Sequence, residues 1–297
     1  MRLFDFAFVP NYPEPLERLK NLAEKEYWGR GGRMLTSYFN HMFDKVMDSG
    51  LMTYLADGEA AVFHTGLQTD KLHEIYAIFV KNERDDAQDW FFRGFTTVGA
   101  LGLGDVLSQF DELPERARFI VRAEQAFYSL QSGPPECNWS ELILDNVSRI
   151  PRHIIDEATD GRIRLPDLRD VGKESYLEYL EKAKEDLSND QEGVSQLISW
   201  LEPALAKSMD QLVLDYKLAV PSWHAKDKCV ALMLPLRINS KDPNMVLAVV
   251  WDTEKEFYVG LNLLTLEMAY NNSRLIARPE AEWLVKANMP FERTFNR

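Results

Sequence analysis

The order in which the hydrophobic period changes along this chain constrains its fold most. Apolar residues recur every three to four positions, then every two, then three to four, then two, and finally three to four. The first period marks one face of an α-helix, the second the alternating sides of a strand. Leu16, Leu19, Leu22 and Ala23 predict a short helix after an irregular arm at 1–15. Leu35, Phe39, Met42, Phe43 and Val46 predict a longer one that stops at Gly50. Strands are predicted over 61–67, 74–80 and 89–95, and the Gly-rich 96–111 fits neither period. A helix is predicted over 139–150 and an irregular connection over 151–173. Two helical stripes follow, 176–187 and 194–212, the second carrying Pro203 as a kink or a restart. Strands return at 229–238, 245–251 and 257–263, and Thr265 is the expected N-cap of a helix ending before Pro279. Strands grouped this way give no regular βαβ alternation, and their short spacings suit hairpins. The expected class is α+β, with mainly antiparallel sheet or sheets packed with helices. The expected organisation is one intertwined domain over 1–297, with a candidate seam in 132–173.

Charge narrows the functions open to such a fold. The 297 residues carry 34 Lys+Arg against 47 Asp+Glu, a net charge of −13. A surface that coats nucleic acid or anionic membrane is cation-rich, so a general polyanion grip is excluded. The acidity is uneven. Residues 174–215 hold ten acids against three lysines, so this helical insert accounts for −7 of the total. A local cationic site elsewhere remains compatible with the composition. Aromatics at 11% separate the chain from disordered acidic tails. Cys137 and Cys229 are too few for a disulfide framework. The longest apolar run, 245–251, is about a third of the roughly 20 residues a membrane span needs. A soluble, cytoplasmic protein with no membrane partner is expected.

Known catalytic motifs are scarce. There is no G-x-S-x-G elbow, no Ser-x-x-Lys set and no P-loop. The five histidines are scattered, and His153 with Asp156 and Glu157 reads as an ordinary charged helix face. No metal site and no cofactor are expected, with carboxylate-held magnesium admitted only if the chain is an enzyme. Four clusters carry possible chemistry. Trp28-Gly29-Arg30-Gly31-Gly32-Arg33 sets an aromatic beside two cations on a pliable backbone, which suits stacking plus phosphate contact, or a solvated turn. His64-Thr65-Gly66 interrupts an apolar strand. Tyr216-Lys217 stands at a helix end, where a cation also suits the macrodipole. Tyr270-Asn271-Asn272-Ser273-Arg274 places two poor helix formers inside a helix, so their side chains are expected to bond backbone or ligand.

Several stretches together resemble the domain found joined to OST-HTH (LOTUS) RNA-binding domains, the OST-HTH-associated domain. They are Phe4-Asp5-Phe6-Ala7 with Pro10, Phe63-His64-Thr65-Gly66-Leu67, Trp90-Phe91-Phe92, Leu113-Pro114-Glu115-Arg116-Ala117, and Asn146 with Arg149 and Pro151. Tyr216-Lys217-Leu218-Ala219-Val220-Pro221 and the long run from Leu264 to Ile276 complete the set. The resemblance departs from the pattern at His64, where Asn is expected. It implies an RNA- or nucleotide-linked role and supplies no reaction. It adds Thr65, Arg116, Asn146 and Arg149 to the candidate binding residues. An OST-HTH-type RNA-binding protein becomes a candidate partner.

Three functions follow as expectations. The first is binding of RNA or a nucleotide by aromatic stacking, with Arg116, Arg149, Lys217 and Arg274 on phosphates and Asn271 and Asn272 on base or ribose. Single strands suit this better than duplex DNA grooves, because no reading helix with a basic face is evident. The second is an enzyme, a hydrolase of RNA ends or nucleotide phosphoanhydrides, with His64 and Lys217 as acid/base candidates. The third is a protein-interaction module presenting the acidic helices, favoured by an exposed apolar patch there.

Overall fold

The computed structural model of the protein describes residues 1–84 and 88–288. Its contacts group into two compact units, Met1–Phe119 and Ile120–Arg297. The boundary therefore falls ahead of the 132–173 stretch that the sequence offered as a seam. Each unit has its own sheet, and the fold is α+β as expected. Among the described residues no helix is long and apolar enough to cross a membrane.

The first unit runs α1 (Leu3–Phe6), β1 (Ala7–Phe8), α2 (Pro13–Leu22), α3 (Arg33–Asp48), β2 (Thr53–Tyr54), β3 (Ala60–Gln68), β4 (Glu74–Lys81), β5 (Trp90–Thr97) and α4 (Leu103–Leu107). The sheet order is β1-β5-β4-β3-β2. All its pairings are antiparallel except that of β1 with β5, which joins Ala7 to Trp90 and Phe8 to Phe91. The arm expected at 1–15 thus contributes a helical turn and an edge strand. Helix α3 buries Leu35, Phe39, Met42, Phe43 and Val46, the stripe legible in the sequence, together with Tyr38. Phe39 and Phe43 meet Phe63 of β3 at ring-centroid distances of 5.6 and 5.7 Å. Truncating one such buried ring to Ala costs about 3–5 kcal/mol. Strand β3 is buried from Ala60 to Leu67, both faces alike, because Ala60 and Val62 pack with Tyr76, Ile78, Leu107 and Phe110 on the other side.

In the second unit α5 (Trp139–Asp145), α6 (Arg152–Ala158), α7 (Leu168–Val171), α8 (Lys173–Asn189) and α9 (Gln191–Leu214) precede the strands β6 (Val220–His224), β7 (Cys229–Leu236), β8 (Met245–Asp252) and β9 (Phe257–Leu264). Helices α10 (Leu266–Ile276) and α11 (Glu282–Asn288) follow. The sheet is wholly antiparallel in the order β6-β7-β8-β9. Leu232, Leu234 and Leu236 of β7 alternate inward against Leu187, Leu197, Leu201 and Leu212 of α8 and α9, which form one hydrophobic core with α5 and α6. Pro203 lies inside α9 without dividing it. Thr265 caps α10 as expected, its Oγ1 accepting the Met268 N–H at 3.2 Å. The connection at 151–173 holds α6 and α7, where an irregular run was expected.

Candidate functional site

In the first unit, the Phe63–Leu67 motif and the Leu113–Ala117 loop converge. Between His64 and Gln68 the β3–β4 register shifts, and Gly66 takes a φ of +78°. A Cβ at Gly66 would lie 2.4 Å from the Tyr38 hydroxyl and 3.7 Å from Arg116 Nε. Only glycine combines that φ with that approach. Thr65 repairs the irregular ladder. Its Oγ1 donates to the Ile75 carbonyl at 2.7 Å and accepts the Leu67 N–H at 3.3 Å, while its own carbonyl accepts the Tyr38 hydroxyl at 3.0 Å. Thr65 is fully buried, so its hydroxyl serves the fold.

His64 is equally committed. Its Nδ1 accepts the Gly66 N–H at 2.8 Å, which assigns the ring proton to Nε2, and Nε2 stands 3.2 Å from Glu74 Oε1. The other oxygen of Glu74 accepts the Tyr76 hydroxyl at 2.8 Å. Burial pushes the imidazole pKa down, partly opposed by Glu74 and assisted by Arg116. The Tyr76 bond chiefly holds the Glu74 carboxyl below its usual range. With Nδ1 held by the Gly66 N–H and Nε2 beside Glu74 without an aligned hydrogen bond, His64 is placed to hold the bulge. Trp28 is 3% exposed and its ring lies 5.5 Å from Tyr38. This corrects its assignment as a stacking platform, because a base cannot reach a ring within the core. The side chain of Arg30 lies outside the described residues. A groove of about 420 Å³ beside β5, touching Arg18 and Arg93, contains none of the sequence candidates.

In the second unit, Asn146 and Arg149 are tied to each other. Arg149 Nη1 donates to Asn146 Oδ1 at 2.6 Å and to the Leu263 carbonyl at 3.0 Å, and Asn146 Nδ2 donates to the Leu142 carbonyl. The pair fastens the end of α5 to the end of β9. Asn146 is 2% exposed. On α10, Tyr270 and Arg274 are buried, which removes Arg274 from direct access by a solvated phosphate, while Asn271 and Asn272 are half-buried. His224, unused by the sequence reading, has Nε2 2.8 Å from Asn262 Nδ2 and Nδ1 3.0 Å from Asp227 Oδ2. Burial pushes both thiols up, Cys137 to about 12, so neither is an activated nucleophile.

Lys217 lines an open cavity of about 820 Å³. The end of α9, the turn after it, the start of β6, the end of α10 and the start of α11 enclose it. The local sequence builds each wall. The Asp215 carboxylate accepts the Lys217 N–H at 3.0 Å, an Asx turn that stops α9 and swings Lys217 to the rim. Trp283 Nε1 donates to the Leu218 carbonyl at 3.1 Å and draws α11 onto that turn. Arg237, past the end of β7, donates to Gln211 of α9 at 2.6 Å. Val220, Pro221, Ile276 and Trp283 supply apolar wall, and Arg278 adds a cation. Phe127 lines the cavity, and its exposed ring lies 5.8 Å from the exposed ring of Tyr216, with Lys217 Nζ 5.9 Å from the Tyr216 centroid. Sequence reading missed Phe127, Arg237, Arg278 and Trp283. Each is isolated in the sequence, and only the crossing of α9, α10 and α11 assembles them. Among the described residues no group of three or more His, Cys, Asp or Glu could hold a metal ion.

The molecule is thus an α+β protein with two separate, mainly antiparallel sheets, whose second unit carries an open cavity lined by three cations, Lys217, Arg237 and Arg278, and three carboxylates, Asp215, Glu280 and Glu282. The chain belongs to the family described as a domain of unknown function, DUF3825, whose model matches residues 19–283. No curated protein and no solved structure matches it.

Proposed function

We propose that this protein binds single-stranded RNA or a nucleotide in the cavity of the second unit, and that it works in the cytoplasm. The observation that carries the reading is the convergence of Lys217, Arg237, Arg278 and Phe127 on one cavity, with the exposed ring of Tyr216 5.8 Å from that of Phe127. Stacking on exposed aromatics and cationic contact to phosphate are the two parts of sequence-tolerant single-strand recognition. A volume of about 820 Å³ lies within the range of small-molecule sites. The resemblance to domains that accompany OST-HTH modules supports an RNA context and an OST-HTH-type partner. The enzyme alternative is weaker, because His64 is buried and its Nδ1 is spent on the Gly66 N–H. Val213 and Leu214, 66% and 87% exposed at the end of α9, favour the interaction-module reading for that helix end.

The test is a titration of the full chain with mononucleotides and with short single-stranded RNA, for the native sequence and for Lys217→Ala. Binding that weakens about tenfold in the variant is expected, as for loss of one charge-assisted contact. No binding of either ligand at low salt refutes the reading.

A further inference from the structure

We infer that the cavity of the second unit selects guanine nucleotides, reading the base with Glu280 and the phosphate with Lys217. This rests on the nucleotide-binding reading of the same cavity. Most charged groups around it are already used within the chain. Arg237 donates to Gln211, and Asp215 Oδ1 accepts the Lys217 N–H. Glu282 is paired with Lys286, and Arg278 has a partner of its own. Two charges are left over. No carboxylate pairs with the Lys217 ammonium among the described residues, and Lys217 Nζ lies 5.9 Å from the Tyr216 ring centroid. The exposed Glu280 carboxylate, on the α10–α11 connector, has no hydrogen-bond or ion-pair partner among the described residues.

A complementary ligand presents an anion to Lys217, a pair of hydrogen-bond donors to Glu280, and a flat apolar body to the wall and the rim aromatics. An ionised carboxylate only accepts. Guanine is the one common base whose Watson–Crick edge carries two adjacent donors, N1–H and the N2 amino group, directed the same way. They match the two oxygens of a carboxylate. Adenine and cytosine each offer one donor beside ring acceptors, which repel the carboxylate. Uracil flanks its single N–H with two carbonyl oxygens. The recognised unit is a guanine nucleotide residue, as free GMP or as a guanosine within single-stranded RNA.

The experiment titrates the full chain with GMP, AMP, CMP and UMP, and with RNA tetramers differing only by one G-to-A change. The same titrations are run on Glu280→Gln, and thermal unfolding checks that this exposed substitution leaves the fold intact. GMP is expected to bind about tenfold or more tighter than the other three, as hydrogen bonds to a charged group require. In Glu280→Gln that preference collapses, while binding of AMP is retained. A tetramer preference exceeding that of GMP identifies the strand as the source, and GMP alone identifies the free nucleotide. Equal binding of all four, or a preference unaffected by Glu280→Gln, overturns guanine selection and leaves the nucleotide-binding reading standing. Absence of any binding overturns both.

Discussion

At the scale of single residues, the polar groups that look chemical in the sequence are mostly spent on backbone. His64-Thr65-Gly66 stands out as a break in an apolar strand, and that much is legible. Its purpose is not, because the Tyr38 hydroxyl, the Ile75 carbonyl and Glu74 that use it come from two other elements, α3 and β4. His64 gives this arrangement a pH signature. Its folded pKa is lowered, principally by burial, whereas the unfolded ring takes its proton near 6.5. The unfolded state therefore binds more protons below that value. The stabilising effect of neutral His64 is complete above pH 6.5 and declines as pH falls below it. Protonation would also place a hydrogen on Nδ1, opposed to the Gly66 N–H. The groups facing the ring are Glu74, which resists the shift, Arg116, which assists it, and the neutral Tyr76 hydroxyl. His41 is lowered by burial too and adds the same sign in the same window. Chemical denaturation between pH 7.5 and 5 is expected to show stability falling with pH. His64→Gln should flatten that slope and His41→Gln only part of it. A slope unchanged by His64→Gln would mean the ring is not held neutral.

At the scale of elements, legibility followed length and period. Helix α3 and strand β3 were readable because each carries a complete internal pattern, and α9 was readable through its long apolar stripe despite Pro203. Strand β1 was not, since two residues hold no period and its partner Trp90 lies more than eighty positions on. Helix α6 was hidden by the charges and turn formers around it. Its inward residues Ile154, Ile155 and Ala158 are too few to outweigh them. Where α8 gives way to α9, a single residue organises the chain. Asp190 is the N-cap of α9, its Oδ1 accepting the Gly193 N–H at 2.9 Å, and Arg162 reaches the same carboxylate at 2.9 Å. Gly193 is small because a Cβ there would come within 2.8 Å of Thr159. Asp190→Ala removes cap and ion pair together and is expected to lower stability by about 1–2 kcal/mol, the usual cost of an N-cap. Arg162→Ala removes only a half-exposed ion pair and should cost less than Asp190→Ala. Urea denaturation of both variants checks the order, and equal losses would assign the stability to the ion pair instead of the cap.

At the scale of the whole molecule, the acidity becomes a statement about how many phosphates can be gripped. The second unit has ten acids and three lysines in residues 174–215, and 18 Lys+Arg against 18 Asp+Glu in its other residues. Its excess negative charge therefore sits in α8, α9 and the turn between them, and the part that supplies most of the cavity is balanced. The first unit, residues 1–119, holds 13 Lys+Arg against 19 Asp+Glu, so it offers no cationic excess either. A strand bound here would be held by very few cations. Each phosphate neutralised on a single strand contributes a slope of about −0.7 to log K against log salt. With Lys217 as a cavity cation that pairs with no carboxylate among the described residues, a slope between about −0.7 and −1.5 is expected for short RNA. Lengthening the RNA beyond the few nucleotides that span the cavity should leave both affinity and slope almost unchanged. Lys217→Ala should bring the slope close to zero and leave any stacking contribution from Phe127 and Tyr216 salt-independent. A slope near −4, growing with RNA length, would require a cationic track that this charge distribution does not contain, and would place the binding surface away from the cavity.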